Sequence, residues 1–400
     1  MVAPLDLVPR LRPFTTTIFA EMSALALATG SLNLGQGFPD SDGPASMLAV
    51  AQQGISEGRN QYPPGPGIPE LRNAVAHARS RDYDQEFDPD SEVLVTVGAT
   101  EAIASAILAF CEPGDEVLTL DPFYDSYAAV TAMAHAVHRS VPLRRDSSGR
   151  LGLDIDELAA AVGPRTRMLL LNTPHNPAGT VLTRAELDGI ADICRERDLL
   201  VVTDEVYEYL TFDGAEHVPI GRLPGMAERT LTISSGGKSF SVTGWKVGWI
   251  CGPARLVAAV RAVKQYLTFV SAAPLQLAIA HALRHEREWA ADLASSLAAK
   301  RDRLCAGLSA AGMTVFRPQG TYFVLADIAP LGETDGMQFC LDLPRRAGVV
   351  AIPASVFSTT PDEWRTVVRF AFCKADQVID EACGRLATLA GQAPTRSDVG

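Results

Sequence analysis

The sequence predicts an α/β protein, with a mostly parallel central sheet covered by helices on both faces and a second, smaller α+β domain. Two observations support this prediction. From about residue 93, short apolar runs alternate with amphipathic segments. Continuous apolar strands separated by helices are typical of a parallel sheet that is buried on both faces. After about residue 274 the pattern changes to a long segment rich in alanine and leucine, followed by isolated strand-like runs.

The predicted elements of the larger domain follow one another closely. The strand-like runs are residues 93–97, 116–120, 168–172, 199–203 and 230–233. The helix-like segments are residues 100–111, 124–134 and 184–197. Ligands of open α/β sheets bind at the carboxyl ends of the strands. We therefore expect the functional side chains directly after these runs.

The C-terminal part reads as a helical region over about 274–311, followed by strand-like runs at 321–327 and 367–373. We predict a large domain over 46–280 and a small α+β domain built from 1–45 and 281–390. The tail 391–400 is polar and lacks an apolar pattern, so we expect it to be disordered. Four hundred residues also exceed what one compact core usually covers.

Composition excludes several classes of protein. A formal net charge of −12 argues against nucleic-acid binding, which relies on basic patches. The seven cysteines are dispersed without CxxC pairs, so we expect reduced thiols, a cytoplasmic protein and no metal site. No stretch approaches the roughly 20 apolar residues of a membrane span, and no export signal is evident, so we expect no membrane association.

Lys238 lies in the most informative stretch of the chain, residues 233–249. It follows two glycines directly after an apolar strand-like run. A lysine in a partly dry pocket loses its proton more readily and can form an imine with a carbonyl group. Enzymes that use pyridoxal 5′-phosphate (PLP) need such a lysine. A surface lysine in a glycine-rich turn is the alternative, so the hypothesis depends on partner residues elsewhere.

Small and aromatic residues follow the first two strands. Ala99 and Thr100 open the helix after the first strand, where backbone N–H groups at the positive end of the helix dipole can bind a phosphate. Tyr124 follows the second strand, where its ring could stack on a planar heterocycle. A plain strand end and a turn with core aromatics remain the alternatives for these two motifs.

Polar side chains follow the next strands. Asn176 stands between two prolines that fix the backbone and direct its amide outward, where it could donate to a ring oxygen. A plain turn is the alternative. Asp204 could pair with a pyridinium nitrogen and keep the ring an electron sink, and Tyr207 could contact the ring hydroxyl. For Asp204, a helix N-cap remains the alternative.

Three further residues complete the constellation. Ser235 and Lys246 flank Lys238 and are natural phosphate ligands. Arg369 is a lone guanidinium in an apolar strand, and a buried arginine usually needs an anionic partner. We predict that this partner is a substrate carboxylate rather than a structural ion pair.

With these residues in place, the chain resembles the fold-type I, class I/II PLP-dependent aminotransferases over nearly its whole length. Within them it is similar to the kynurenine aminotransferase/glutamine transaminase K subgroup, through residues 33–40, 172–179, 204–207 and 235–249. A still closer likeness is to the actinobacterial N-succinyldiaminopimelate aminotransferases, through residues 12–14, 18–26 and 60–67.

The resemblance implies catalytic roles for Lys238, Asp204 and Tyr207. Lys238 would hold the cofactor as an imine and shuttle a proton between the substrate Cα and the cofactor C4′. Asp204 would pair with the pyridine nitrogen, Asn176 and Tyr207 would contact O3′, and Tyr124 would stack on the ring. The phosphate would be held by a set of backbone and side-chain groups: Ala99, Thr100, Ser235 and Lys246.

The resemblance also implies how the substrate is bound. Gly37, Asn176 and Arg369 would hold its α-carboxylate. Tyr62 would reach the phosphate of a neighbouring subunit, and Phe269 from the partner chain would border the side-chain pocket with Phe19. We therefore expect a homodimer with shared active sites.

The predicted reaction is transfer of an amino group between an L-amino acid and a 2-oxo acid. N-succinyl-LL-2,6-diaminopimelate with the glutamate/2-oxoglutarate pair is favoured over glutamine, methionine or kynurenine. Phe19 and Val270 stand where the kynurenine enzymes have tryptophan and histidine. The alternatives are a cysteine-S-conjugate β-lyase and a noncatalytic PLP-sensing regulator. Such a regulator carries a DNA-binding domain, for which the 32 residues before Asn33 show no basic pattern.

Overall fold

The computed structural model describes residues 7–391 of the 400-residue chain. The tail predicted to be disordered lies outside these residues except for Gly391. The strands, in chain order, are β1 (Leu32–Asn33), β2 (Val93–Val97), β3 (Glu116–Asp121), β4 (Val137–Arg145), β5 (Leu151–Leu153), β6 (Thr166–Asn172), β7 (Leu200–Asp204), β8 (Thr230–Ser235), β9 (Val247–Cys251), β10 (Thr314–Phe316), β11 (Phe323–Asp327), β12 (Val349–Val350), β13 (Ile352–Pro353) and β14 (Val367–Ala371).

Helices separate most of these strands. They are α1 (Ile18–Thr29), α2 (Ala45–Ser56), α3 (Pro69–Tyr83), α4 (Gly98–Phe110), α5 (Ser126–Met133), α6 (Ile155–Ala161), α7 (Arg184–Glu196), α8 (Gly236–Ser239), α9 (Ala254–Lys264), α10 (Ala273–His285), α11 (Arg287–Ala310), α12 (Gly336–Ala347) and α13 (Asp376–Leu386). Within residues 7–391, no helix has both the length and the hydropathy needed to cross a bilayer.

The central sheet has eight strands in the order β2-β9-β8-β7-β6-β3-β4-β5. The five strands β8, β7, β6, β3 and β4 are parallel to their neighbours within this run. This confirms the predicted mostly parallel sheet. Its parallel strands β3, β6, β7 and β8 are almost wholly buried, as their continuous apolar sequences require.

Three strands of this sheet were not predicted. β9 lies antiparallel between β2 and β8, and β5 pairs antiparallel with β4 at the far edge. The residues of β9 are fully buried, but they directly follow the glycine-rich run and so read as its continuation. In β4 charged side chains interrupt the apolar pattern, which hides the strand. The predicted segment 274–311 is likewise two helices, α10 and α11, separated at Glu286.

A second, four-stranded antiparallel sheet has the order β10-β11-β14-β13. The N-terminal segment packs with this part of the chain: β1 pairs with β12, and Met22, Ala26 and Leu34 belong to one apolar cluster with α11, β11 and β14. This packing agrees with a small domain made from both chain ends. The boundaries 46–280, 1–45 and 281–390 stay predictions.

Candidate active site

A cavity of about 240 Å³ opens at the carboxyl ends of β2, β3, β6, β7 and β8, where the fold class places ligand sites. Of the fourteen residues predicted for the site, twelve line this cavity. They come from both sheets and from the N-terminal segment: Phe19, Gly37, Ala99, Thr100, Tyr124, Asn176, Asp204, Tyr207, Ser235, Lys238, Lys246 and Arg369.

Lys238 lies in the short helix α8, one turn after β8. Its Nζ lies 5.9 Å from the ring centroid of Tyr207 and 5.7 Å from that of Tyr322. Burial among these rings lowers the pKa of Lys238 from 10.5 to about 8. Gly236 packs closely behind it, because a Cβ at this position would meet Ile279 Cδ1 at 2.5 Å. That space is filled by α10.

Asp204 ends β7 and is only 5% exposed. Its Oδ2 accepts a hydrogen bond from the Tyr127 hydroxyl at 2.7 Å. Burial raises the pKa of Asp204 to about 6, while this hydrogen bond works in the opposite direction. A cation beside the carboxylate would offset the cost of burying its charge. Tyr207, three residues on, is also buried, and burial raises its pKa.

Arg369 has no carboxylate within 4.0 Å among residues 7–391, although it is 1% exposed. Its Nη2 donates to the Gly35 carbonyl at 2.8 Å and its Nη1 to Asn176 Oδ1 at 3.2 Å. Its Nε is buried without a partner. Burial lowers the pKa of Arg369 to about 10. The geometry therefore favours an anionic ligand over the structural ion pair that was the alternative.

Asn176 is held from behind by the loop after β6. Its backbone N–H donates to Asn172 Oδ1 at 2.7 Å, and Asn172 Nδ2 donates to the Asp204 carbonyl at 2.9 Å. The Asn176 side-chain oxygen faces Arg369, so its amide nitrogen can donate to a ligand. One side chain can thus contact both Arg369 and a ligand in the cavity.

The opposite end of the cavity is suited to a phosphate. Helix α4 begins at Gly98, so the first N–H groups of a thirteen-residue helix point into the cavity. Lys246 Nζ donates to Thr100 Oγ1 at 3.2 Å. The backbones must approach closely here, because a Cβ on Gly248 would lie 2.9 Å from the Ala99 nitrogen. Ser235 ends β8 beside this group and lines the same cavity.

Gly37 and Phe19 form the wall towards the N-terminal segment. A Cβ on Gly37 would lie 2.3 Å from Phe323 Cζ, so only glycine fits at this position. The Gly37 carbonyl accepts a hydrogen bond from the Tyr322 hydroxyl at 2.7 Å. The Phe19 ring centroid lies 5.1 Å from the Arg369 guanidinium carbon. These contacts fix the shape of the space beside Arg369.

Tyr62 and Phe269 do not reach this cavity in the single chain. Tyr62 is 81% exposed and Phe269 48% exposed, and their rings contact each other edge to face with centroids 5.4 Å apart. The neighbouring Tyr266 is 85% exposed. An apolar surface of this kind is typical of a protein contact. The role of these residues in a partner's site stays a prediction.

Sequence reasoning missed three aromatic residues, of which Tyr127 and Phe323 line the cavity and Tyr322 supports its wall. Tyr127 binds Asp204, Tyr322 binds the Gly37 carbonyl, and the Phe323 ring lies 4.1 Å from the Arg369 guanidinium carbon. Tyr127 could have been found from its place three residues after Tyr124, behind the same strand. The other two lie at the start of β11, in the second sheet, and no local pattern connects them to the motifs of the first.

The sequence profile of the family described as Aminotransferase class I and II matches residues 29–386. The chain belongs to this family. Its members depend on PLP, and the residues present fit that cofactor. The lysine has a lowered pKa, a buried carboxylate lies beside it, and the arginine Nε has no partner among residues 7–391. The aminotransferase prediction is thereby confirmed, together with the predicted cofactor and fold.

Three relatives show how far the similarity of this aminotransferase extends. A probable N-succinyldiaminopimelate aminotransferase of Mycobacterium tuberculosis (strain H37Rv) is 55% identical over 97% of this chain and all of the relative. A methionine aminotransferase of Escherichia coli is 39% identical, over 94% of this chain and 96% of its own. A kynurenine–oxoglutarate transaminase 3 of Mus musculus is 37% identical, over 93% and 88%.

Solved structures agree with these similarities. The N-succinyldiaminopimelate aminotransferase of M. tuberculosis superimposes with a TM-score of 0.94 at 56% identity, covering 96% of this chain and all of that one. An E. coli protein with a methionine aminotransferase function superimposes with a TM-score of 0.91 at 38% identity, with the same coverage. The predicted likeness to both subgroups is confirmed.

Proposed function

We propose that this aminotransferase moves an amino group between N-succinyl-LL-2,6-diaminopimelate and the 2-oxoglutarate/glutamate pair. The observation that carries the general reaction is Arg369, a buried cation without a carboxylate partner in the described residues, in the same cavity as a lysine of lowered pKa. Amino and oxo acids share the α-carboxylate that such a guanidinium binds with two parallel hydrogen bonds. One arginine can therefore serve both half-reactions.

The cofactor would lie between the two ends of the cavity. Ala99, Thr100, Ser235 and Lys246 would hold its phosphate, and Tyr124 would stack on its ring. Asp204 would pair with the ring nitrogen, while Asn176 and Tyr207 would contact the ring oxygen. When bound, PLP supplies an electron sink for the charge left on the substrate α-carbon.

Lys238 holds and moves the proton. With a pKa of about 8, roughly a tenth of its Nζ is uncharged at pH 7, far more than for an ordinary lysine. In that form Nζ would remove the proton from the substrate α-carbon and later deliver it to C4′ of the cofactor. Arg369 fixes the carboxylate, so the Cα–H bond keeps its direction towards Nζ. The surrounding rings of Tyr207 and Tyr322 limit the access of water.

We propose a cytoplasmic homodimer as the active unit. Its support is the exposed aromatic surface that contains Tyr62, Tyr266 and Phe269. In the single chain, none of these three residues lines the cavity that contains Lys238. A partner's Tyr62 would then reach the phosphate end of the site. The seven free thiols are compatible with a reducing compartment.

The choice of substrate rests on the 55% identical relative and on the space beside the site. A second cavity, of about 660 Å³, shares Phe19, Thr100 and Tyr124 with the first and gives room for a long side chain. The residues that line it include hydroxyl groups and the carboxylates of Glu21 and Asp125, but neither Arg nor Lys. A cation lies on the surface instead: Arg59 is exposed and lines a depression with Tyr62 and Val270. In a dimer this arginine would bind the distal carboxylate.

The experiment is a comparison of amino donors with 2-oxoglutarate as acceptor. We expect kcat/KM for N-succinyl-LL-2,6-diaminopimelate to exceed that for methionine, glutamine and kynurenine. Arg59→Ala should lower kcat/KM for N-succinyl-LL-2,6-diaminopimelate by roughly tenfold, because a charge-assisted hydrogen bond is lost. The values for the other donors should change little. A higher kcat/KM for methionine or kynurenine would instead favour the activity for which the other two relatives are named. Release of pyruvate and ammonia from a cysteine S-conjugate without an oxo acid would identify a β-lyase.

A further inference from the structure

A buried polar cluster lies behind the turn that carries Asp204 and Tyr207. It consists of Arg79 on α3, Glu205 and Glu208 on the turn, and His217, all at most 6% exposed. None of them lines the cavity. Buried charges of this kind are costly unless they are paired and hydrogen-bonded. A contribution to stability therefore does not by itself explain why these charged side chains are buried.

Arg79 bonds both carboxylates of the turn. Its Nη2 donates to Glu205 Oε2 at 2.9 Å, and its Nη1 donates to Glu208 Oε2 at 2.6 Å. Its Nε donates to Gln85 Oε1 at 3.1 Å. A planar guanidinium with fixed donor directions holds two such oxygens in one relative position, which an ammonium group does not.

The turn is also bound to the strand that leads to Lys238. Ser234 Oγ donates to Glu208 Oε1 at 2.6 Å, and the Glu205 N–H donates to the Ile233 carbonyl at 2.8 Å. Ser234 directly precedes Ser235, which lines the cavity. Movement of Glu208 is thus coupled to the end of β8.

Side chains of the turn point in two directions. Asp204 and Tyr207 line the cavity, while Glu205 and Glu208 contact Arg79. The turn is closed by a hydrogen bond from the Glu208 N–H to the Glu205 carbonyl at 2.9 Å. Because the segment is short, a rotation that moves the two glutamates also moves Asp204 and Tyr207.

Ligand atoms of Glu205, Glu208 and His217 lie within 4.8 Å of one another, a spacing that a metal ion could use. The guanidinium of Arg79 already bonds one oxygen of each glutamate. His217 Nε2 lies 3.1 Å from Glu205 Oε2, and its Nδ1 has no partner in the described residues. The guanidinium of Arg79 therefore supplies a positive charge where a metal ion would lie.

We propose that Arg79 is a positioning residue, which sets the place of Asp204 and Tyr207 relative to β8 by holding Glu205 and Glu208 on the opposite side of the turn. The inference deepens the proposed function, because the positioned groups are those that would bind the cofactor ring. Arg79 acts through the turn and contacts neither cofactor nor substrate.

The test is a titration of the cofactor-free protein with PLP, followed by visible absorbance. Arg79→Lys keeps the charge but loses the two-oxygen geometry, and we expect the dissociation constant of PLP to rise roughly tenfold. Ser234→Ala removes the hydrogen bond to Glu208 and should raise the dissociation constant of PLP by about threefold. The absorbance of the PLP-bound enzyme should also be measured against pH. The midpoint of that titration should differ between Arg79→Lys and the wild type.

Two control variants separate positioning from general stability. Arg301→Lys alters another fully buried arginine, which pairs with Asp213 outside the cavity. Ser105→Ala alters a buried serine without a partner. Both should leave PLP affinity within about twofold.

Equal PLP affinity in wild type, Arg79→Lys and Ser234→Ala would overturn the proposal. If Arg79→Lys does not fold, Ser234→Ala against Ser105→Ala decides the question alone. Wild-type protein that binds no PLP would instead contradict the proposed function.

Discussion

The hydroxyl of Tyr127 donates to Oδ2 of Asp204 at 2.7 Å, with both side chains at most 5% exposed. Tyr127 thereby stabilises a carboxylate that burial disfavours, since burial alone raises the pKa of Asp204. The two residues together determine whether the carboxylate is charged when a ring nitrogen approaches it.

Tyr127→Phe should raise the pKa of Asp204 further, because a hydrogen bond to the charged form is lost. We expect roughly tenfold weaker PLP binding and an acidic limb of kcat/KM shifted to higher pH. Tyr209→Phe is a matched control, since Tyr209 donates to Asp82 at 2.9 Å and lies outside the cavity. Equal effects in both variants would contradict a specific role for Tyr127.

Asp204→Asn should stabilise the cofactor-free protein while it removes activity. The pKa of Asp204 rises from 3.8 to about 6, so its contribution to stability is full below the unfolded value and is lost as pH rises through about 6. An asparagine does not titrate. Urea unfolding should therefore show a gain of order 2 kcal/mol at about pH 7.5 and a smaller one at about pH 5. A gain independent of pH would disprove this explanation.

Arg369→Lys should weaken binding of amino and oxo acids rather than of the cofactor. The lysine cannot provide two parallel hydrogen bonds, so kcat/KM for glutamate should fall by about 10²-fold, mainly through KM. PLP affinity, measured by titration, should change little. An unchanged KM for both glutamate and 2-oxoglutarate would remove Arg369 from the substrate site.

Gly37→Ala should distort the wall of the site, because the new Cβ would lie 2.3 Å from Phe323 Cζ and Phe323 packs on Arg369. We expect lower stability by about 1–3 kcal/mol and a higher KM for glutamate. Gly384→Ala is the contrasting variant, since its Cβ meets nothing within 4 Å in α13. It should stabilise the protein by about 1 kcal/mol. The pair is compared by urea unfolding and steady-state kinetics.

The sequence predicted the parallel strands and the residues that follow them, because both depend on local features. Buried strands are continuously apolar, and the carboxyl ends of parallel strands meet at one edge. Asp204, Asn176 and Lys238 could therefore be placed together without a structure.

Other parts of the site depend on residues far apart in the chain. The Tyr127–Asp204 bond spans 77 positions and the Tyr322–Gly37 bond 285. The Arg79–Glu205 pair spans 126 positions. A tyrosine or an arginine in an amphipathic segment is locally ordinary, so a partner at this distance leaves no signal in a single sequence. The antiparallel β9 was missed for a local reason, because its buried residues directly follow the glycine-rich run and read as its continuation.

The central claim is that Lys238 holds the cofactor and moves the substrate proton. The most direct test is the visible absorbance of purified protein with PLP, before and after addition of L-glutamate, for wild type and Lys238→Ala. We expect the wild-type band to convert as 2-oxoglutarate appears, and the variant to remain folded while turnover falls by at least about 10³-fold. Retained turnover in Lys238→Ala, or wild-type protein that stays colourless with PLP, would contradict the account.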